Sequence, residues 1–306
     1  MFNQFKTIVE EGDTIILYLS PFQVFALPVK DTIKNKHGVL VENIFQTSYG
    51  ALKIRELVGV KYGSKVKLSK GWGFVLYPTP ELWTQTLPHR TQIIYTPDIS
   101  VIIMQLELKP GDVVIESGTG SGSLTHSLAR TVQQSGHVYT FDFHEDRARI
   151  ATEEFQTHGL TQVTCQHRDV VQDGFGEELN HKVDAVFLDL PHPWLAVESA
   201  VKSLKTSGGR FCSFSPCIEQ VQRTCENLHK LGFVDINTVE CLQKEFSVGY
   251  RNLPFAEFGE SDNQQNDNSN TRHKFVSVTP ATPTMQGHTG YITSATLPPV
   301  HVRVTN

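Results

Sequence analysis

The segment Glu116-Ser-Gly-Thr-Gly-Ser-Gly-Ser123 is the strongest indication of the fold, because it follows the apolar run 113–115 and precedes a helical pattern. A glycine-rich turn between a strand and a helix is typical of the carboxyl end of a parallel strand, where open α/β sheets bind ligands. Gly118, Gly120 and Gly122 allow the backbone to turn tightly and approach a ligand closely. The helix behind them offers free N–H groups. The segment therefore predicts a ligand-binding loop.

Strand-like and helix-like segments alternate on the carboxyl side of this loop. The strand-like segments are 137–143, 163–170, 183–191, 208–216 and 233–242, and the helical ones begin after Gly122, at Glu145, at Trp194 and at Cys217. Such alternation predicts an α/β domain with a mostly parallel sheet covered on both faces. We expect residues 289–297, TGYITSATL, to return as the last strand of a seven-stranded sheet.

The rest of the chain divides by composition. Residues 1–84 contain short β-rich runs separated by turn residues, which predicts a small, barrel-like all-β domain. Residues 85–110 form a connector and a first helix with Thr96 as its N-cap, and residues 111–253 form the α/β core. The polar segment 254–286 predicts a disordered insertion, and residues 287–306 form the final strand and a tail.

Composition excludes several classes of protein. The 306 residues, 39% of them apolar, are enough for a large buried core, and the net charge of −5 argues against a simple nucleic-acid coat. No apolar stretch is long enough to span a membrane, and the first residues do not resemble a secretory signal, so we expect a soluble, non-secreted protein. Five cysteines without a CxxC pair favour neither a disulfide framework nor a zinc ribbon.

The spacing of the glycines indicates which cofactor binds. The pattern is GxGxG rather than the GxGxxG of nicotinamide enzymes, and no GK[ST] follows it, which excludes a Walker loop. Preceded by Glu116, the pattern resembles motif I of class I S-adenosylmethionine (SAM) methyltransferases, which implies a Rossmann-like fold. Asp142, at the end of the second strand, could accept both ribose hydroxyls of an adenosine ligand, or could serve as an acid before a helix. Asp169, at the end of the third strand, could face the adenine amino group or could simply form a turn.

Asp189 is the predicted catalytic residue, because it directly follows the buried run AVFL at the end of the fourth strand. The motif Asp189-Leu-Pro-His-Pro-Trp194 resembles the Asp or Asn, proline and aromatic motif of nucleic-acid amino-methyltransferases. A carboxylate that accepts a hydrogen bond from the exocyclic amine of adenine would raise the electron density on N1 and stabilise the cation formed by methylation. The competing structural role is that of a helix cap.

A cysteine nucleophile and a metal site are the two other chemistries to compare with the sequence. Cys217 follows the fifth strand, where RNA cytosine-C5 methyltransferases keep a cysteine nucleophile, so covalent catalysis is an alternative. The fourth-strand motif lacks the second cysteine of such enzymes, and a cysteine at a helix start is often inert. The thirteen histidines show no HxH or HExxH motif and no i,i+4 pairing, and we therefore expect no metal site.

Several longer strings are more specific than the general methyltransferase pattern. They are residues 80–83 (PELW), 88–95 (PHRTQIIY), 116–123, 211–224 (FCSFSPCIEQVQRT) and 287–291 (GHTGY). From about Glu11 to Leu297, apart from the insertion, the chain resembles the catalytic subunits of eukaryotic tRNA (adenine-N1-)-methyltransferases, which modify adenine 58 in the T-loop. The resemblance implies SAM as the methyl donor, tRNA as the substrate, a nuclear location and a heterotetramer of two catalytic and two non-catalytic paralogous chains.

The resemblance also implies the site residues. Asp189 would be catalytic, and the SAM site would comprise Gln92, Ile93, Ile94, Tyr95, Thr96, Glu116, Ser117, Gly118, Thr119, Gly120, Ser121, Gly122, Ser123, Asp142, Arg147, Asp169, Val170 and Asp189. The tRNA-binding residues would be Leu19, Ser20, Pro21, Lys36, His37, Gly38, Trp72, Ser213, Phe214, Ser215 and Thr289. Asp142 stands where the family more often has Glu.

Charge by segment is consistent with this expectation. Residues 1–105 carry 11 basic and 8 acidic side chains, so the predicted β domain is mildly basic although the chain is acidic. That excess is modest for gripping tRNA, whose binding depends on neutralising phosphates, so a partner would have to supply positive charge. A non-catalytic tRNA-binding paralogue remains an alternative function, and messenger RNA sites that resemble the T-loop remain open as further substrates.

Overall fold

The computed structural model describes residues 2, 6–254, 272–282, 284 and 287–303, without the side chains of 253, 254 and 272–274. The chain divides into two compact units, one formed by Met1–Cys241 with Gly290–Asn306 and the other by Leu242–Thr289. No helix among the described residues is long and apolar enough to cross a membrane.

Seventeen strands and seven α-helices make up the described part of the chain. The strands are β1 (Thr14–Ser20), β2 (Gln23–Pro28), β3 (Thr32–Lys34), β4 (Leu40–Glu42), β5 (Ile44–Thr47), β6 (Gly50–Lys53), β7 (Lys65–Lys67), β8 (Trp72–Leu76), β9 (Val113–Ser117), β10 (His137–Asp142), β11 (Val163–His167), β12 (Ala185–Leu188), β13 (Gly209–Ser215), β14 (Val234–Glu240), β15 (Phe246–Pro254), β16 (Arg272–Pro280) and β17 (Tyr291–Leu297). The α-helices are α1 (Pro80–Thr86), α2 (Thr96–Gln105), α3 (Ser123–Val132), α4 (Glu145–Thr157), α5 (Val170–Asp173), α6 (Val197–Ser203) and α7 (Ile218–Lys230). Short 3-10 helices lie at Ile54–Leu57, Glu177–Leu179, Pro193–Ala196 and Val300–Val302.

A seven-stranded sheet organises the α/β part, in the order β11-β10-β9-β12-β13-β17-β14. Only β17 runs against its neighbours, to which it pairs antiparallel on both sides. Each face of the sheet carries its own buried apolar cluster, one containing Ile115 and Val186 and the other containing Val114 and Phe187. The prediction of a mostly parallel seven-stranded sheet with TGYITSATL as its last strand is therefore confirmed.

The amino-terminal region is all-β, as predicted. Strands β2, β1, β8 and β7 form a four-stranded antiparallel sheet, and β3–β4 and β5–β6 form two separate hairpins. Its core includes Ile15, Leu17, Leu57 and Val75. The described strands thus form three sheets here rather than one closed barrel.

The second unit differs from the sequence expectation. Strands β15 and β16 pair antiparallel from Phe246 with Pro280 to Pro254 with Arg272, so part of the segment 254–286 that we predicted to be disordered is a strand. Residues 255–271, 283, 285 and 286 of that segment lie outside the described residues. The β-branched and aromatic residues of 275–279 favour a strand, but the polar composition around them dominated the prediction.

Three boundaries also differ. The first stretch of the first unit ends at Cys241, whereas the sequence predicts a core that extends to residue 253. The N-cap of α2 is Tyr95 rather than Thr96, with Pro97 in the first turn. The predicted helix from Trp194 begins instead as a 3-10 turn and continues as α6.

Candidate functional site

An open cleft with about 560 Å³ of empty space lies at the carboxyl ends of β9, β10 and β12. Its walls come from the segment before α2, from the glycine loop and from the ends of these three strands. The lining residues are Thr91, Gln92, Ile93, Ile94, Glu116, Gly118, Thr119, Gly120, Ser121, Ser123, Leu124, Asp142, Arg147, Phe187 and Asp189.

The glycine loop requires glycine for two reasons. Gly118 and Gly120 have φ values of +102° and +53°, which side chains with a Cβ rarely adopt. A Cβ on Gly118 would lie against the carbonyl oxygen of Asp189, and one on Gly120 would lie 2.7 Å from Thr91 Oγ1. The loop therefore packs directly against both the predicted catalytic segment and the segment before α2, leaving the cleft between them.

Asp142 lies at the end of β10 and is anchored on several sides. Its carboxylate accepts hydrogen bonds from the N–H of Gly120 at 3.0 Å and from the N–H of His144 at 2.9 Å. Arg147 on α4 donates from Nε to the same carboxylate at 3.0 Å. A fixed carboxylate beside the glycine loop, lining the cleft, suits the hydroxyl groups of a ribose.

Glu116 is the most deeply buried acid of the cleft wall, at 1% exposure. Thr125 on α3 donates to its Oε2 at 2.6 Å. Burial raises the pKa of Glu116 to about 7, and the negative charges of Asp189 and Asp142 add to this effect. A carboxyl group that is partly protonated near neutral pH can both accept and donate hydrogen bonds to a polar ligand.

The segment before α2 is tied to the glycine loop by the hydroxyl of Ser121. This oxygen accepts from the N–H of Arg90 at 2.9 Å and from the N–H of Thr91 at 3.2 Å. Arg90 in turn pairs with Glu154 of α4 at 2.9 Å.

Three further residues, Thr91, Leu124 and Phe187, line the cleft although they were not among the predicted site residues. Only the string 88–95 pointed to Thr91, and nothing pointed to the other two.

Asp189 is held at the mouth of the cleft by the backbone. Its N–H donates to Ser117 O, at the end of β9, at 2.8 Å. Burial raises the pKa of Asp189 to about 6. The cleft therefore brings together three carboxyl groups, those of Glu116, Asp142 and Asp189, from three adjacent strands.

Some residues predicted for the cofactor do not line the cleft. They are Tyr95, Thr96, Ser117, Gly122, Asp169 and Val170. Tyr95 is exposed and caps α2, whereas Ser117 is buried at the end of β9. The carboxylate of Asp169 accepts hydrogen bonds from Val171 and Gln172 and so caps α5, which is the turn-forming role weighed from the sequence.

The residues predicted to contact tRNA occupy separate places. Leu19 and Ser20 end β1, Pro21 follows, and Lys36, His37 and Gly38 lie in the exposed β3–β4 turn. Trp72 begins β8 and is exposed, with Lys65 Nζ 3.7 Å from its ring centroid.

The remaining predicted tRNA residues are less accessible or lie elsewhere. Ser213 and Ser215 are buried in β13, and their hydroxyl groups have no hydrogen-bond partner among the described residues. Phe214 lies between them, half-buried. Thr289 belongs to the second unit.

Two side-chain groups outside the cleft concern the alternative chemistries. Cys217 is exposed at the start of α7 and is not among the residues that line the cleft. His126, Glu154 and His158 have potential metal-ligand atoms within 4.8 Å of one another. His126 Nε2 lies 2.9 Å from His158 Nδ1, and Glu154 pairs with Arg90, so protein groups already occupy these atoms.

The histidine pair is also linked to the glycine loop. His126 Nδ1 lies 2.6 Å from Gly122 O and donates to it when Nδ1 carries the proton. Burial lowers the pKa of His126 to about 4 and that of His158 to about 3, so both rings are neutral at physiological pH. His126 therefore supports the glycine loop as an uncharged ring that is hydrogen-bonded to both Gly122 O and His158.

The sheet order, the glycine loop and the acids at three strand ends define a class I SAM-dependent methyltransferase fold. Residues 71–297 match the family model of the tRNA methyltransferase complex GCD14 subunit. The chain belongs to this family, and its recognition from sequence strings is confirmed.

The relatives and solved structures agree with this assignment. A Candida albicans tRNA (adenine(58)-N(1))-methyltransferase catalytic subunit is 46% identical over 254 residues, which cover 81% of this chain and 72% of the relative. The Dictyostelium discoideum protein of the same description is 43% identical, over 79% and 75% of the two chains.

Among solved structures, a SAM-dependent O-methyltransferase from Thermotoga maritima has a TM-score of 0.75 at 28% identity, covering 95% of each chain. The tRNA (m1A58) methyltransferase TrmI from Aquifex aeolicus has a TM-score of 0.69 at 23% identity, covering 95% of this chain and 98% of its own. At 23% identity, the similarity to TrmI shows a shared fold.

Proposed function

We propose that this chain is the catalytic subunit of a SAM-dependent tRNA methyltransferase that forms N1-methyladenosine at position 58 of the T-loop. The family and the printed names of relatives at 40–47% identity support the activity. The observation that carries it in the structure is the half-buried carboxylate of Asp189, which lines the cleft beside an intact glycine loop. A non-catalytic paralogue has no need for this set of acids, which argues against that alternative.

The cleft residues fit SAM, which would supply an electrophilic methyl group when bound. The loop from Gly118 to Ser121 brings its backbone to the cleft because neither glycine has a side chain, and a Cβ at Gly118 or Gly120 would collide with Asp189 or Thr91, which also line the cleft. The fixed carboxylate of Asp142 would hold the ribose hydroxyls. Arg147 would keep that carboxylate oriented through the ion pair between them, 2.9 Å long.

Asp189 would act on the base rather than on the cofactor. Its carboxylate would accept a hydrogen bond from the exocyclic amine of adenine and increase the electron density on N1. It would also stabilise the positive charge that develops as N1 is methylated, and assist proton loss. The target base must leave its stack to reach this position, with the half-buried ring of Trp194 as a candidate wall.

Cytosine-C5 methylation through Cys217 is the alternative within enzymes. It requires the thiolate to reach the base at the same place as the methyl donor. Cys217 is exposed and does not line the cleft that contains Asp189, which favours direct transfer without a covalent intermediate.

We extend the proposal to a non-catalytic paralogous partner, in a heterotetramer of two chains of each kind that binds tRNA in the nucleus. One face of the β15–β16 hairpin supports a protein partner, because register places Val248 beside Val278 and Tyr250 beside Val276. These four side chains are exposed by 59–69%. A continuous exposed apolar patch of this kind is typical of an interaction surface. The basic β domain, with Trp72 and Lys65, would lie along the RNA.

A single assay tests the function. The full chain, alone and with its paralogous partner, is incubated with tRNA and SAM, and the methylated base is identified and mapped by mass spectrometry. We expect N1-methyladenosine at position 58 from the wild type and from Cys217→Ala. Asp189→Ala should bind SAM normally and lose activity by at least about 100-fold. An Asp189→Ala protein with wild-type rate, or 5-methylcytosine that disappears in Cys217→Ala, would refute the proposal.

A further inference from the structure

The segment that carries Asp189 has few backbone donors of its own. In Asp189–Trp194 two of the six residues, Pro191 and Pro193, have no N–H group. The N–H of Asp189 donates to Ser117 O at 2.8 Å, and the N–H of Leu195 donates to His192 O at 3.1 Å in the turn that leads into the 3-10 helix Pro193–Ala196. With two of its donors missing, the segment after Asp189 gains order from side chains of a neighbouring element.

Helix α7 supplies those groups from two carboxamide side chains. Gln220 donates from Nε2 to Pro191 O at 2.9 Å, and its Oε1 accepts from the N–H of Cys217 at 3.1 Å. Asn227 donates from Nδ2 to Trp194 O at 2.7 Å. The two residues are seven positions apart, which places them on one face of the helix.

A third residue on the same face contacts the aromatic ring of the segment. The guanidinium of Arg223 lies 5.1 Å from the ring centroid of Trp194. This distance is within the range of a cation–π interaction. Both ends of the segment and its ring are thus held by α7, while Asp189 itself is held by β9.

We propose that Gln220 and Asn227 are positioning residues for methyl transfer, fixing the Pro191–Trp194 segment so that the target base is held in line with Asp189. This inference rests on the proposed function. Neither residue lines the cofactor cleft, so the effect should fall on the base and not on SAM. A displacement of about 1 Å at a reacting centre can lower the rate by about 100-fold.

Gln220→Glu is the test variant, because it keeps the acceptor for Cys217 N–H and removes the donor to Pro191 O. Asn227→Asp removes the donor to Trp194 O at the other end, and serves as a second variant if one protein fails to fold. Gln222→Glu is the matched control, since this exposed side chain is on the same helix and undergoes the same change in charge.

The three variants and the wild type are compared, with the partner subunit, for kcat and KM with tRNA at saturating SAM, SAM affinity and melting temperature. We expect kcat to fall by about 10-fold or more in both test variants, with SAM affinity within twofold of wild type and the control unchanged. Equal kcat in all three variants would overturn the inference. So would a test variant whose melting temperature is lower than that of the wild type but whose kcat, assayed well below that melting temperature, is unchanged. A wild-type protein that makes no N1-methyladenosine would instead overturn the proposed function.

Discussion

Gly118 provides the sharpest test of the cleft geometry. Gly118 and Gly111 have similar backbones, with φ values of +102° and +94°, but different surroundings. A Cβ on Gly111 would meet only Ser135 Oγ, at 3.8 Å, whereas one on Gly118 would lie against the carbonyl oxygen of Asp189. Gly111→Ala therefore isolates the effect of positive φ, about 1–3 kcal/mol of stability. Gly118→Ala adds a steric clash between the new Cβ and the carbonyl oxygen of Asp189.

Relief of that collision requires the Asp189 carbonyl to move by about 1 Å, and a displacement of this size at a reacting centre can lower the rate about 100-fold. That factor is equivalent to about 2.7 kcal/mol of transition-state stabilisation. The overpacking should also remove a further 1–3 kcal/mol, roughly, from the free energy of unfolding.

Both variants are measured by urea unfolding, by calorimetric titration with SAM and by N1-methyladenosine formation. We expect Gly111→Ala to lose stability and retain its kcat, and Gly118→Ala to lose both. Equal kcat and equal SAM affinity in the two folded variants would show that the glycine loop does not control the position of Asp189.

Two further predictions concern pH. Because burial raises the pKa of Asp189 to about 6 and the ionised form accepts the hydrogen bond from adenine, kcat should rise with pH through about 6 and be level above 7; a kcat that is flat from pH 5 to 8 in the wild type would contradict this role. Burial lowers the pKa of His126 to about 4 in the folded chain, whereas the unfolded chain keeps the ordinary value of 6.5. As the pH falls below 6.5, the unfolded chain therefore binds a proton more readily than the folded chain, and the free energy of unfolding decreases. From pH 7 to pH 5 this contributes about 2 kcal/mol. Urea unfolding of His126→Gln should therefore show about that much less pH dependence than the matched control His229→Gln, and equal slopes in the two variants would exclude the effect.

The sequence predicted the features that depend on local pattern. Alternation of apolar runs with helical segments gave the seven-stranded sheet, and the GxGxG spacing identified the loop of the cleft. Asp142 and Asp189 could be selected because the first ends a strand and the second directly follows one, and the carboxyl ends of parallel strands meet at one edge of the sheet. Each of these inferences required only residues close together in the chain.

Features that depend on distant pairs could not be predicted. Ser121 binds the backbone of Thr91 from 30 positions away, and His126 meets His158, the residue that follows α4, from 32 positions away. A search for short histidine motifs could not detect the second pair. The carboxamide of Gln220 likewise meets Pro191 only because α7 packs beside the segment that ends β12.

Composition and structure disagree in one segment of the chain. The polar stretch after residue 254 hid the strand β16, which contains Phe275, Val276 and Val278. Averaging over a window that includes both kinds of residue yields a polar mean, although a short alternating run is enough for a hairpin strand. The role of Asp169 could not be decided from sequence for a different reason, since an acid at the end of a strand serves equally well as a ligand contact or as the helix cap that it forms in the structure.

The position of β17 in the sheet has a consequence for biosynthesis. This strand separates β13 from β14, and β14 has no other neighbour in the described sheet, yet β17 is translated after the whole second unit. While the chain emerges from the ribosome, β13 keeps an open edge and β14 has nothing to pair with until residues 291–297 arrive. Unpaired strand edges of this kind are prone to aggregate. The interval between synthesis of β14 and of β17 is therefore the period in which a nascent chain would most need protection by chaperones.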